Sequence, residues 1–154
     1  MILRVQTVIP LPTHTVWQRL RRIETLEHVT RGLMGFQKLT PIPELAEGAT
    51  LKVRFWFFHL LPAPWVHHLK MRRCDSEHLE MLTEEGGGFI KVWNHTIRVQ
   101  QHQQGTFYTD EVEIRAGLMT PIVYAYSWVF YHYRQWRWRQ WAAQDSGASN
   151  SSRM

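Results

Sequence analysis

The sequence predicts an α+β domain in which a curved, antiparallel seven-stranded sheet wraps around one long C-terminal helix. Three observations predict it. Strand-like alternation fills residues 36 to 114, and the gaps between the alternating runs are short, as in an antiparallel meander rather than βαβ units. One uninterrupted helical stretch follows, with no Gly or Pro from 122 to 146. Only two short helical stretches, both after the first strand, share the task of covering the sheet.

The elements follow in order. Residues 2–9, ILRVQTVI, read as a strand with Leu3, Val5 and Ile9 on one face, stopped by Pro10 and Pro12. Thr13 is the expected cap of a first short helix and Thr25 that of a second, which ends near Arg31, Gly32 and Gly35. Further strands are expected at 36–40, 51–58, 65–73, 78–84, 89–100 and 106–114. GGG at 86–88 reads as a loose turn and QHQQG at 101–105 as a hairpin turn. Thr120 followed by Pro121 suits an N-cap and first helical position. The helix they open is expected to run about 22 residues, ~33 Å.

Length and composition narrow the class. The chain has 154 residues, 44% hydrophobic, with eight Trp, seven Phe and five Tyr. One folded domain over residues 1–143 and a flexible polar tail over 144–154 are expected. A net charge of +5, with the basic residues scattered, does not indicate a nucleic-acid partner. A single cysteine, Cys74, excludes an internal disulfide and fits a reducing compartment. The longest apolar stretch, FWFFHLLPAPWV at 55–66, is interrupted by His59, Pro62 and Pro64. It is shorter than the ~20 residues a membrane helix needs. The start, MILRVQTVIPLP, does not read as a signal peptide. A cytoplasmic location is expected.

This order of elements resembles the START-like, or SRPBCC, superfamily, which includes Bet v 1-type proteins and polyketide cyclases. The resemblance runs from Ile2 to Ala143. It rests on VIPLPTHTVWQRL near the start, on WNHTIRV followed by TFYTDEVEI, and on the Pro-started terminal helix ending in YRQWRWRQW. It implies a helix-grip fold around an apolar cavity that takes a lipid, polyketide, hormone or quinone. Some members are cyclases or dehydratases and others only carry a ligand.

Strand parity sorts the residues that face the helix. Phe55 and Phe57 come from one strand, with Leu51 and Val53. His67, Leu69 and Met71 come from the next, with Trp65. Met81 follows, with Leu79 and Thr83; then Trp93 and His95, with Ile97 and Val99; then Tyr108 and Asp110, with Val112 and Ile114. The terminal helix is expected to add Tyr126, Val129, Phe130 and Tyr133 to the ligand site. The inner face is apolar except for His67, Thr83, His95, Tyr108 and Asp110, and polar groups are costly to bury without partners. His95 and Asp110 are the candidate catalytic pair. A four-residue loop in QHQQG sets them opposite each other; a two-residue loop sets Ile97 opposite Asp110, with His95 diagonal. Either register lets the pair orient a ligand group or move a proton, or simply satisfy each other.

The nine histidines form no ligand spacing for a metal; His67 and His68, adjacent on a strand, point to opposite faces. No GxSxG, P-loop or GxGxxG occurs, and no cofactor is expected. The apolar connection 57–65 is expected either to pack as a hairpin tip on a neighbour, or to form a lip at the cavity mouth or a shallow membrane-touching loop.

The terminal helix carries YHYRQWRWRQW at 131–141. Its wheel shows a broad stripe of Ile122, Tyr126, Val129, Tyr133 and Trp136, flanked by Val123, Phe130 and Trp141 and expected to face the sheet. A narrower stripe of Tyr124, Trp128, Tyr131 and Trp138 lies opposite, with Gln135 among them. An early helix, a second copy of the chain or a membrane surface is expected to cover it. Arg137 and Arg139 sit roughly 160° apart on that wheel, which argues against one nucleic-acid patch. The sequence thus supports three functions. They are a binding module for a small apolar molecule, a cyclase- or dehydratase-type enzyme, and a membrane-surface or nucleic-acid binder acting through this helix.

Overall fold

A computed structural model describes residues 1–39 and 45–151, with side chains described through residue 144. The elements are β1 (Ile2–Ile9), α1 (Thr13–Leu20), α2 (Ile23–Thr30), β2 (Met34–Lys38), β3 (Thr50–Phe57), β4 (Leu61–Pro62), β5 (His67–Asp75), β6 (Glu80–Gly87), β7 (Ile90–His102) and β8 (Gly105–Arg115). A 3-10 turn (Gly117–Met119) leads into α3 (Thr120–Ser151). Seven strands form one antiparallel path, β1-β8-β7-β6-β5-β3-β2, and the two-residue β4 pairs with β3. The helix-grip architecture is as the sequence predicts. Thr40, expected to end the second strand, and residues 152–154 lie outside the described residues.

Local chemistry explains most element ends, with corrections. The residue at the N-cap of α1 is Pro12, not Thr13, and that of α2 is Arg22, not Thr25; neither makes a side-chain cap. Both helices are instead held by burial, through Val16, Trp17 and Leu20 in α1 and Ile23 and Val29 in α2. Thr120 is already helical and serves the preceding turn: its Oγ1 donates to the Gly117 carbonyl and accepts from the Ala116 N–H. The helix it opens is 32 residues long rather than about 22.

The hairpin at QHQQG takes the tighter register. His102 pairs with Gly105, leaving a two-residue loop, and Ile97 lies opposite Asp110. Gly105 has φ +131°, and a Cβ there would lie 2.2 Å from the Ile9 carbonyl oxygen. Only glycine fits, because the loop is pressed against the end of β1.

The inner face follows the expected parity. Leu51, Val53, Met71, Met81, Ile97, Val99, Tyr108, Val112 and Ile114 are buried. The terminal helix does not follow its wheel. Its buried residues are Val123, Ser127, Phe130, Tyr131, Arg134, Gln135, Trp138 and Ala142, while Ile122, Val129 and Trp136 of the broad stripe are exposed. The expected orientation is therefore wrong by a large rotation. Hydrophobic patterning failed because three polar residues, Ser127, Arg134 and Gln135, occupy the inward face. Trp138 is 0% exposed and shares a buried cluster with Trp17, Leu20, Ile23 and Val29 of α1 and α2. The early helices are thus its cover, and of the narrow stripe only Trp128 is exposed.

Among the described residues no helix is long and apolar enough to cross a membrane. The three arginines of YHYRQWRWRQW go to separate places. Arg134 is buried beside Tyr108, Arg137 donates to the His28 carbonyl in α2, and Arg139 donates to Thr7 Oγ1 in β1.

Candidate functional site

Between the sheet and the first half of α3 lies a cavity of about 320 Å³. The walls are mostly apolar: Phe55 and Phe57 from β3, Leu69 and Met71 from β5, Met81 from β6, and Trp93 from β7. Met119, Ile122, Val123, Tyr126, Phe130 and Tyr131 close it from the helix side. Of the expected helix residues, Tyr126 and Phe130 line it. Val129 does not, being 51% exposed, and neither does Tyr133, whose hydroxyl donates to the Arg31 carbonyl at 2.6 Å.

The connection 57–65 contributes to the mouth. Phe57 and Trp65 line the cavity, while Phe58, Leu60 and Leu61 are exposed at the tip. Trp65 fits there because GGG gives it room. A Cβ at Gly87 would lie 2.8 Å from the indole and one at Gly88 2.7 Å. Gly87 is thus the end of β6, not part of a loose turn, and Gly88 has φ +58°.

Two polar groups interrupt the apolar walls. The first is built on Asp110, 1% exposed. His95 Nε2 lies 2.7 Å from Asp110 Oδ1, and Tyr108 donates its hydroxyl to the same oxygen at 3.2 Å. Gln135 donates to Oδ2 at 3.0 Å and, through the same nitrogen, to the Val5 carbonyl at 2.8 Å. Arg134 donates to the Tyr108 hydroxyl at 3.0 Å, and its other terminal nitrogen lies 3.7 Å from Asp110. The sequence-level pair is thus formed by the diagonal register. Burial would push the Asp110 carboxyl up, but the Arg134 charge, the His95 and Gln135 hydrogen bonds and the His95 charge hold it below the usual carboxylate range. Burial pushes the Tyr108 hydroxyl far above its ordinary value. Neither Asp110 nor Tyr108 lines the cavity, whereas His95 and Arg134 do.

The second group is His67, Glu85 and Thr83, all in the cavity wall. His67 Nε2 lies 3.1 Å from Glu85 Oε2, and Thr83 donates to Glu85 Oε1 at 2.7 Å. Burial would raise the Glu85 carboxyl, yet the His67 hydrogen bond and the charges of His67 and His95 keep it lowered. Glu85 continues the inward parity of Met81 and Thr83, but the expected strand ended at Glu84 and missed it. The β6–β7 register shifts between Glu85 and Gly87, a bulge of the kind that re-aims side chains beside sites. Arg134 and Tyr131 were missed as cavity-lining residues, and Gln135 as a sheet-facing one, for another reason, the wrong helix orientation. A run of polar residues on one flank of an aromatic helix was the available signal.

The two groups leave a pattern of unmet hydrogen bonds. Among the described residues, buried His67 Nδ1, Arg134 Nε, the Tyr126 hydroxyl and Trp65 Nε1 have no partner, and all four residues line the cavity. Burial pushes the Tyr126 hydroxyl up to about 12, so it stays protonated. Native interiors rarely leave such atoms unpaired. Among the described residues no three His, Cys, Asp or Glu side chains converge as a metal site.

No protein-family profile matches the chain, and no curated protein matches it in sequence. Solved structures do match in shape. Protein CV1439 from Chromobacterium violaceum is 12% identical with a TM-score of 0.71, covering 91% of this chain and 96% of its own. Ara h 8.0201 is 7% identical with a TM-score of 0.68, covering 94% and 98%. DynU16, from the dynemicin biosynthetic locus, is 14% identical with a TM-score of 0.59, covering 91% of this chain and 46% of its own. At these identities the likeness concerns the fold alone, a helix-grip architecture shared with these structures.

Proposed function

We propose that this chain is a START-like binding protein for a small hydrophobic or aromatic molecule of lipid, polyketide or quinone type, held between the sheet and α3. One observation carries the reading: the 320 Å³ cavity with apolar walls, at the small end of ligand-site volumes. The fold shared with Ara h 8.0201 and DynU16 supports it. The test is native mass spectrometry of protein purified from its own host, followed by solvent extraction. A reproducible co-purifying aromatic or acyl compound is expected, and Leu69→Trp, which fills the cavity, should lose it. Protein that carries nothing and binds no apolar probe would sink the reading.

A second reading, chemistry on the bound molecule, draws on one feature. His67 and His95 both line the cavity, and each has a carboxylate on its Nε2, Glu85 or Asp110. This is how a general base is held in one tautomer. Incubation of the extracted compound with fresh protein checks it. Turnover to a product of changed mass, lost in His95→Ala and Asp110→Asn, is the expected result if the protein is a cyclase- or dehydratase-like enzyme.

A further inference from the structure

We propose that the mouth of the cavity is a docking surface for an anionic lipid bilayer, so that an apolar ligand passes between membrane and cavity without crossing water. The inference rests on the binding reading above and adds where the ligand is collected.

Three stretches distant in sequence meet at the mouth. They are the connection 57–65, the turn at 88–89, and the 3-10 turn with the first residues of α3. Ring contacts join them: Trp65 meets Phe89 with centroids 5.0 Å apart, and Phe57 meets Tyr126 at 5.7 Å. Phe89 and Ile122 line the cavity and are also exposed, so the apolar wall continues onto the surface. Around them Phe58, Leu60, Leu61 and Leu118 are exposed, Leu60 by 77% and Leu118 by 99%. Single exposed apolar residues need no explanation, but a group of them at one place marks an interaction site. The tip of the connection is also held in place. The Phe58 N–H donates to the Leu33 carbonyl at 2.9 Å, and the Gly32 N–H donates to His59 Nε2 at 3.3 Å. The apolar side chains are therefore presented from a fixed backbone.

Charge selects the occupant. Residues 55–66, 86–92 and 114–126, which build the mouth, contain no Asp or Glu, but they contain His59, Lys91 and Arg115. Lys91 is exposed beside Phe89 and Ile90 and makes no ion pair among the described residues. The carboxylates that flank these stretches in sequence are already engaged. Glu85 is bonded to Thr83 and His67, and Glu113 to Asn94 and Arg115. An apolar edge with a cationic fringe matches an anionic bilayer, whose interior takes the apolar side chains while the headgroups meet Lys and Arg. A second copy of the chain fits less well. A two-fold pairing must be self-complementary, and the patch offers no carboxylate to answer Lys91.

Vesicle flotation tests the idea, with vesicles of phosphatidylcholine alone and vesicles that include about one-third phosphatidylglycerol. The intact protein should bind the anionic vesicles on the order of fivefold more tightly than the neutral ones. Leu60→Ser combined with Leu118→Ser should weaken that binding about tenfold or more. Both side chains are largely exposed, so the urea midpoint should not move. Lys91→Glu should remove the preference for the anionic vesicles. Trp128→Ser, on the outside of α3, should change neither binding nor preference. Absence of flotation with either vesicle would overturn the proposal, as would equal binding to the two. Binding lost in Trp128→Ser but kept in the Leu60→Ser, Leu118→Ser protein would also overturn it, by moving the contact to the helix. Dimerisation in sedimentation velocity that disappears in the double variant would assign the face to a second copy and overturn it too. All of these results leave the cavity reading standing; that reading fails separately, if no apolar molecule co-purifies or binds.

Discussion

The two ends of α3 meet the same sheet in opposite ways. From Arg134 onward the helix is tied to the sheet: Arg134 and Gln135 knit it to Tyr108, Asp110 and the Val5 carbonyl, and Trp138 and Ala142 are wholly buried. Before residue 131 it stands off, and Met119, Ile122, Tyr126 and Phe130 roof a cavity instead. The closed end gathers its polar atoms into a network around Asp110, although Arg134 Nε, Arg137 Nε and Trp138 Nε1 have no partner among the described residues. The open end leaves Tyr126 and His67 with hydrogen bonds unmade. The difference teaches how the fold keeps a cavity without collapsing. A polar clamp at one end fixes the distance between helix and sheet, and the apolar end is then free to remain unfilled.

The comparison breaks most visibly at the clamp. Asp110→Ala leaves the Arg134 charge and the Tyr108 and Gln135 donors without their acceptor. It should cost about 3–5 kcal/mol in urea denaturation, as the loss of one partner in a buried ionic pair does. Trp138→Ala opens a void at the closed end and should cost a similar or slightly smaller amount, ~3–4 kcal/mol, read from the same transition. A mild effect of either would mean that the two ends differ less than their packing shows.

Acid provides a third, smaller perturbation. Asp110 and Glu85 have folded-state pKa values lowered from their ordinary ones. Their contribution to stability is therefore fully present above the unfolded carboxylate range and is lost as pH falls through the lowered folded values. The urea midpoint should drop steadily below about pH 4. In Asp110→Asn that drop should be shallower, and an unchanged slope would remove Asp110 from the clamp.

At the open end the sign should reverse. Tyr126→Phe deletes a buried hydroxyl with no partner and should leave stability unchanged or raise it by up to ~1 kcal/mol. A clear loss would reveal a hydrogen bond made there. The smallest change is expected on the outside of the helix. Trp128 is 51% exposed and rests on its helix neighbour His132. Trp128→Ser should stay within ~0.5 kcal/mol. The contrast with Trp138, ten residues along the same expected stripe, measures how far the wheel misleads.

Some of this was legible in the chain. Period-two alternation placed Phe55, His67, Met81, Trp93 and His95 on the inner face, because a strand has only two faces and one of them is buried. The two registers open to the QHQQG hairpin were readable, and the choice between them was not. It depends on Gly105 meeting the end of β1, a contact between elements distant in sequence. Glu85 was hidden because three glycines resemble a turn until Trp65, from another hairpin, is seen lying on them.

What the sequence by itself determined is the set of elements and the inner face of each strand, since both follow from local periodicity and from where Pro and Gly interrupt it. Only the tertiary structure decided which side of α3 faces inward. An aromatic helix with arginine and glutamine on its inner flank has no dominant apolar side. Its rotation is set instead by partners that the sheet supplies: Asp110 for Arg134 and Gln135, and the early helices for Trp138. Those long-range contacts, and the cavity they hold open, cannot be read from a stretch such as YHYRQWRWRQW alone.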